Sequence, residues 1–394
     1  MSLLDALPIA LTPEQAALYR AAWPSADLLA EHVAIAAHSR LLLLGCAADP
    51  LCLVMAGRAR DGLCLVADDD AAACDELMAQ AHAARLANVR CVDPADLLAE
   101  QPNPFDCALG NTLYHPNKRM TAALVALAHH FLAPGGTLAL VGAKQRGIVS
   151  IADEVRRVFG GVSTLALRKG HRVLAATRGP QPSSVLNPSV DALFALGTEP
   201  VESITLRGQT LQFITSPFVV ASGRLDPATA LLAQALDVRP EDRFADLGCG
   251  SGLLGLLAAR LAPGAPVYLL DASRAAVRLA RGNARLNGVT SATALAGDAI
   301  ALLRRHALRP TVIATNPPFH AGQLHSTLVA HRFIMGAAER LAPEGRLLLV
   351  ANRFLAYERA LRGSFGEVRE VGGDTRYKVL LAAAPLAETA HQAI

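Results

Sequence analysis

No stretch of this 394-residue chain is long and apolar enough to be read as a bilayer span. The most apolar run, Leu41 to Ala56, is broken by Asp49-Pro50 and falls short of the roughly 20 residues a membrane helix needs. Met1-Ser2-Leu3-Leu4-Asp5 has no basic patch ahead of an apolar core, so no export signal is expected and a cytoplasmic location is. The seven cysteines, Cys46, Cys52, Cys64, Cys74, Cys91, Cys107 and Cys249, lack the short spacing of a zinc site, which predicts free apolar thiols and no metal. His320, His325 and His331 likewise have no carboxylate to complete a ligand set. A formal net charge of +3 lacks the basic excess of a dedicated nucleic-acid domain, and so does not select a substrate.

The chain is instead rich in apolar residues, 52%, and long enough for two full cores. Its two halves resemble each other. Gly248-Cys249-Gly250-Ser251-Gly252 precedes the strand-like Val267-Tyr268-Leu269-Leu270, which ends at Asp271; Gly45-Cys46-Ala47-Ala48-Asp49 precedes Leu63-Cys64-Leu65-Val66-Ala67, which ends at Asp68. The interval from first glycine to acid is the same in both. Thr315-Asn316-Pro317-Pro318-Phe319-His320 answers to Gly110-Asn111-Thr112-Leu113-Tyr114-His115, and the run Leu341 to Val350 answers to Leu132 to Val141. Four matches in one order predict a duplicated domain. The Pro/Gly/Ser segment Gly179 to Ser184 marks the boundary, giving domains 1–182 and 183–394. Ser203 to Leu206 and Thr210 to Ile214 around Arg207-Gly208-Gln209 predict a hairpin. From Leu225, short apolar strands alternate with Ala/Leu/Arg-rich stretches, the pattern of an α/β fold with a doubly wound, mostly parallel sheet flanked by helices.

Only the second half keeps the residues of a cofactor site. Arg243 to Leu247 reads as a buried strand, Gly248, Gly250 and Gly252 as a tight turn, and Leu253 to Leu261 as a helix start, so a ligand would lie across the helix's amino end. Asp271 is placed to accept from a ribose diol, Asp298, next to Ala299, from an adenine amine, and Asp246 to face the cationic amino group of an amino-acid moiety. Gly250-Ser251-Gly252-Leu253-Leu254-Gly255 also satisfies the dinucleotide fingerprint, which keeps a nicotinamide enzyme in competition. The acids Asp246 and Asp298 and the Asn-Pro-Pro-Phe segment favour S-adenosylmethionine. In the first half Leu43 stands at the position of Asp246, Ala47, Ala48 and Asp49 replace the flexible turn, and Thr112-Leu113 replaces the two prolines. That half is expected to be a degenerate copy.

The corner Asn316-Pro317-Pro318-Phe319 suits a planar amine. The lone pair of an exocyclic amine is delocalised into its ring, and acceptors on both N–H groups return it to the nitrogen. The Asn316 carboxamide oxygen and the Pro317 carbonyl can supply them. The prolines stiffen the corner, and Phe319 offers a stacking face worth about 1–3 kcal/mol. Positioning rather than a strong base then supplies the rate.

These features are similar to class I S-adenosylmethionine-dependent methyltransferases. More specifically, the chain resembles the bacterial ribosomal RNA guanine-N2 methyltransferases of the RsmC-like and RlmG-like types. The resemblance rests on Asp246 to Gly252, Asn316 to His320, Val350-Ala351-Asn352-Arg353-Phe354-Leu355-Ala356-Tyr357 and Thr375 to Leu380. It covers the whole chain, since that family pairs a degenerate amino-terminal methyltransferase-like domain with an active carboxyl-terminal one. It implies two tandem Rossmann-like methyltransferase domains and methylation of a guanosine in ribosomal RNA, with Asn316, Pro317, Pro318 and Phe319 in the catalytic corner. It also implies a first domain devoted to stability and RNA positioning. Gly142 to Ile148 inclines the reading to the small subunit. The same corner serves adenine N6 or a glutamine amide, and a non-catalytic RNA-binding assembly factor is the third reading. Two basic groups are candidates for RNA contact or plain solvated surface: Arg274, Arg278, Arg281 and Arg285, and Lys144, Arg146, Arg168, Lys169 and Arg172. A monomer acting on ribosomal RNA or a ribosomal subunit is expected.

Overall fold

The computed structural model describes residues 24–98, 104–180, 201–216, 219, 225–317 and 323–386, with backbone alone at 323–327. The chain divides into two compact units, Met1–Ala195 and Leu196–Ile394. The boundary expected at 182/183 lies outside the described residues.

The first unit carries β1 (Arg40–Leu44), β2 (Leu63–Ala67), β3 (Val89–Val92), β4 (Phe105–Asn111), β5 (Leu132–Ala143), β6 (Ser163–Arg168) and β7 (His171–Thr177). They form one sheet in the order β3-β2-β1-β4-β5-β7-β6, parallel through β5 and antiparallel at β7 and β6. Leu41 to Leu44 are all fully buried, as expected of a central parallel strand covered on both faces.

A hairpin of β8 (Val201–Leu206) and β9 (Gln209–Ile214) precedes the second sheet. Its two-residue turn, Arg207-Gly208, has both φ values positive, 49° and 73°, which matches the right-handed twist of the flanking strands. The second sheet holds β10 (Phe244–Leu247), β11 (Val267–Asp271), β12 (Ala292–Ala296), β13 (Val312–Thr315), β14 (Arg346–Asn352), β15 (Phe365–Gly373) and β16 (Tyr377–Pro385). Their order, β12-β11-β10-β13-β14-β16-β15, repeats that of the first unit strand for strand. The duplication read from four sequence matches is therefore a duplication of topology.

In each sheet the connection reverses direction at the first strand, which lies between the second and the fourth. In the second unit β10 pairs with β11 on one side and β13 on the other, so a crevice opens at their carboxyl ends. Two of the helices bordering that crevice are α1 (Leu253–Leu261), after β10, and α2 (Arg274–Leu286), after β11. Ser273 caps α2 by accepting the Ala276 N–H at 3.0 Å, and α2 buries Ala276, Val277, Leu279, Ala280 and Asn283 on one side. Among the described residues no helix is long and apolar enough to cross a membrane.

Close approach of α1 to the sheet depends on Gly255. A Cβ there would come within 2.1 Å of Leu269 Cδ2 and 3.0 Å of Val267 Cγ1, both on fully buried residues of β11. Gly255→Ala should therefore destabilise the second unit by about 1–3 kcal/mol in urea unfolding. Gly282→Ala, in α2 with nothing within 4 Å of the added carbon, should stabilise it by about 0.5–1 kcal/mol. Equal effects of the two substitutions would refute the packing argument.

Candidate active site

The site begins where β10 stops. Gly248, Gly250 and Gly252 all take positive φ, 74°, 53° and 85°, and fold the chain into the turn that starts α1. The turn is held from the neighbouring strand. Asp271, ending β11, accepts the Gly250 N–H on Oδ2 at 2.8 Å and the Ser273 N–H on Oδ1 at 2.9 Å. The carboxylate expected to receive a ribose thus also clamps the loop, and carboxylate oxygens have lone pairs for both tasks.

Two features of the turn bear on what it can hold. The first is Asp246, 1% exposed, whose Oδ2 has no hydrogen-bond partner among the described residues. Burial pushes its pKa up to about 7, the nearby Asp271 charge adds to this, and a hydrogen bond from the Gly255 backbone opposes it. The second is the amino end of α1, which has no side-chain cap. A buried acid beside an uncapped helix start fits a ligand carrying both an ammonium and a carboxylate, as an amino-acid moiety does.

Asn316 follows β13 directly. Its Nδ2 donates to Asp226 Oδ2 at 2.7 Å and to Thr229 Oγ1 at 2.8 Å, while its buried Oδ1 has no partner among the described residues. A carboxylate only accepts, so Asp226 fixes which end of the amide is nitrogen and leaves the oxygen as a free acceptor. Pro317 is buried beside it. Pro318, Phe319 and His320 lie outside the described residues, as does the side chain of His325. His331 is exposed and meets Tyr357 edge-on, with ring centroids 6.2 Å apart. Among the described residues no group of His, Cys, Asp and Glu is placed to hold a metal ion.

Asp298 sits just past β12, before the helix Ala299–Arg305. Its Oδ1 caps that helix through the Ala301 N–H at 2.8 Å, and its Oδ2 pairs with Arg332 at 2.6 Å. Ala299 behind it is 4% exposed. The sequence did not single out Asp226, Thr229 or Asn283. Asn283 joins the hairpin to the turn, donating to Ile214 O at 3.1 Å and Ser251 O at 3.0 Å while accepting the Ile214 N–H at 2.8 Å. Asp226-Pro227 does carry a helix-start signature, a capping acid followed by proline.

The first unit reproduces the frame and closes the site. Asp68 accepts the Ala47 N–H at 2.7 Å and the Asp70 N–H at 2.9 Å, the counterpart of the Asp271 clamp. At the position of Gly252 stands Asp49, whose Oδ1 takes the Leu51 N–H at the start of the following helix, at 2.9 Å. Its Oδ2 accepts from Asn111 Nδ2 at 2.7 Å, and Asn111 Oδ1 accepts the Leu113 N–H at 3.2 Å. Leu43, at the Asp246 position, is fully buried. An internal carboxylate therefore occupies the helix start, and the asparagine oxygen is used within its own turn.

Of the two basic groups, one is gathered at an edge. Ala143, ending β5, pairs with His171 in β7, and the Lys144 N–H donates to Gly170 O at 2.8 Å. This brings Lys144 and Arg146 beside the Lys169-Gly170 turn and Arg172, while Arg168, ending β6, is paired with Glu31 at 2.6 Å. In the α2 group, Arg281 is tied to Ala294 O through Nε and Nη2.

A doubly wound sheet with a glycine turn clamped by an acid, and an asparagine corner at the end of its fourth strand, defines an S-adenosylmethionine-type methyltransferase fold. Residues 23–175 and 210–381 each match the methyltransferase small domain family, and the chain belongs to that family. A ribosomal RNA small subunit methyltransferase C from Pseudomonas putida is 31% identical over 70% of this chain and 76% of its own length. One from Pseudomonas paraeruginosa is 32% identical over 69% and 78%. Among solved structures, the T. thermophilus 16S rRNA N2 methyltransferase RsmC, in complex with AdoMet and guanosine, matches with a TM-score of 0.75 and 27% identity over 91% of both chains.

Burial also gives the first unit a pH signature. It raises Asp49 to about 6 and Asp68 to about 7, so both hold their protons more tightly folded than unfolded. Stability from these groups is full below about pH 4 and is lost as pH rises through 6 to 7, at up to about 1.4 kcal/mol per pH unit for each. His115, which burial lowers to about 4, works the other way below about pH 6.5, so the decline is read as a difference between variants. Asp49→Asn, followed by hydrogen exchange in the first unit between pH 4 and 7, should lose stability less steeply with rising pH than the unmodified chain, and an equal slope would contradict the assignment.

Proposed function

We propose that the chain transfers a methyl group from S-adenosylmethionine to the exocyclic N2 amine of a guanosine in small-subunit ribosomal RNA. The observation that carries the reading is the buried, unpartnered Oδ1 of Asn316 at the mouth of the clamped turn. The small-subunit assignment is supported by the relatives above, which bear that activity in their names over most of this chain's length.

The residues divide the work. Gly248, Gly250 and Gly252 let the backbone approach the cofactor, Asp271 takes the ribose, Asp298 and Ala299 border the adenine, and Asp246 faces the amino group. When bound, S-adenosylmethionine supplies a methyl group on a sulfonium, an excellent leaving group. Asn316 Oδ1 accepts one N–H of the guanine amine and the Pro317 carbonyl the other, restoring the nitrogen lone pair and aiming it. Pro318 and Phe319, the other two residues of the expected corner, lie outside the described residues. An amide oxygen takes no proton, so Asn316 orients, and the methylated nitrogen, acidic while positively charged, releases its proton to water. The target base must be unstacked, because a duplex hides its amine. The first unit, with its site closed by Asp49, serves RNA positioning through the Lys144, Arg146 and Arg172 edge. The enzyme works in the cytoplasm as a monomer on ribosomal RNA or the assembled subunit.

Asn316→Ala should lower methyl transfer to small ribosomal subunits by about 100-fold or more while leaving S-adenosylmethionine affinity unchanged in calorimetry. Unchanged transfer would sink the catalytic assignment, and label appearing only on DNA or protein would sink the RNA reading.

Asp246 must ionise to face an ammonium, yet burial holds it near pH 7. S-Adenosylmethionine binding should therefore release a proton below pH 7 and tighten by up to about tenfold per pH unit as pH rises to that value. Calorimetry in buffers of different ionisation enthalpy reads the proton directly. Proton uptake on binding would be the wrong sign.

A further inference from the structure

We propose that Asp226 is a positioning residue for methyl transfer, acting through Asn316; the proposal rests on the reading of Asn316 as the acceptor for the substrate amine. One oxygen of Asp226, Oδ2, accepts three hydrogen bonds: the Thr229 N–H at 2.9 Å, the Thr229 hydroxyl at 3.0 Å and Asn316 Nδ2 at 2.7 Å. The Thr229 hydroxyl, having given its proton to Asp226, accepts from Asn316 at 2.8 Å. Both Asn316 amide hydrogens thus have their acceptors on the first turn of the helix Pro227–Ala235.

This arrangement does three things to one side chain. It selects a single amide orientation, because neither Asp226 nor the committed Thr229 oxygen has a hydrogen to offer the carboxamide oxygen. It immobilises that orientation on a helix rather than on the corner's own loop. It also places a negative charge on the nitrogen side of the amide, which polarises the group and makes Oδ1 a stronger acceptor for the guanine amine.

The first unit supplies an internal comparison. Asn111 Nδ2 is likewise held by the helix ahead of the first strand, at Ser25 Oγ and 3.0 Å, but its second acceptor is Asp49 from the turn, and its oxygen is consumed by the Leu113 N–H. A helix anchor is common to both copies. A carboxylate in that anchor, with the amide oxygen left free, belongs to the second alone.

Because Asp226 also caps its helix, the test separates the two roles. Ser is as good a cap as Asp, but its shorter side chain cannot both cap and reach Asn316. Asp226→Ser should lower kcat for methyl transfer from labelled S-adenosylmethionine to isolated small ribosomal subunits by about 10- to 100-fold. KM for the subunit, calorimetric affinity for S-adenosylmethionine and the melting temperature should stay close to wild type. Asp226→Asn, whose Oδ1 can take the same bonds without the charge, should recover to within about fivefold of wild type. Thr229→Val, which keeps the cap and removes one acceptor, should show a smaller fall in kcat alone.

Wild-type kcat in Asp226→Ser overturns the proposal, as does a loss confined to KM or to the melting temperature, or an Asp226→Asn variant no better than the serine. Failure of the underlying reading looks different: Asn316→Ala would transfer label to the subunits at the rate of the unmodified chain.

Discussion

A carboxylate at the end of the second strand, bonded to a backbone N–H in the turn after the first, is the contact on which both units depend. In the second unit it is Asp271 on Gly250, in the first Asp68 on Ala47, with nearly equal distances of 2.8 and 2.7 Å. The bond joins segments a crossover apart and sets where the following helix begins. It also explains why the acid persists in the copy that keeps only Gly45 of the three glycines: removing it would strand buried N–H groups, a cost of about 1–3 kcal/mol apiece.

From that shared clamp the two copies treat the helix start and the asparagine differently. The first unit bonds both internally, with Asp49 on the helix start and on Asn111 and with Leu43 where an acid would need a partner, although Thr112 Oγ1 in the same corner is buried without a partner among the described residues. The second leaves Asp246 Oδ2 and Asn316 Oδ1 buried without partners among the described residues. Unsatisfied buried acceptors are rare in folded proteins because each costs stability. Two stand at the carboxyl ends of the neighbouring strands β10 and β13, one chemically suited to a cation and one to an amine.

The frame was legible in the sequence because it is written in local patterns. Apolar runs gave the strands, the interval from Gly45 to Asp68 and from Gly248 to Asp271 gave the repeat, and Arg207-Gly208 gave the hairpin turn. Asp246 and Asn316 stand out in the sequence as well, and the fold places both at the carboxyl ends of neighbouring strands. What stayed hidden depends on contacts between distant residues. Asp226-Pro227 announces a helix start, and nothing local states that the cap reaches Asn316, 90 residues on. Asp298 read as an adenine acceptor, and only the fold shows it also capping a helix and pairing with Arg332. Asp49 read as a lost glycine, whereas in the fold it is a gained carboxylate.

That last distinction bears on how the copies diverged. Loss of glycines alone would leave an empty, weakened crevice in the first unit. Asp49 instead supplies the charge that a bound amino acid's carboxylate supplies at such a helix start, and it ties down the asparagine as well. Restoring a ligand site there would need more than glycine at that position: with Leu43 retained, no acid would face the ammonium, and the Asn111 oxygen would still be held by its own turn. The turn of the first unit is thus held by its own side chains, Asp49 on the Leu51 N–H and on Asn111, and Asn111 on the Leu113 N–H.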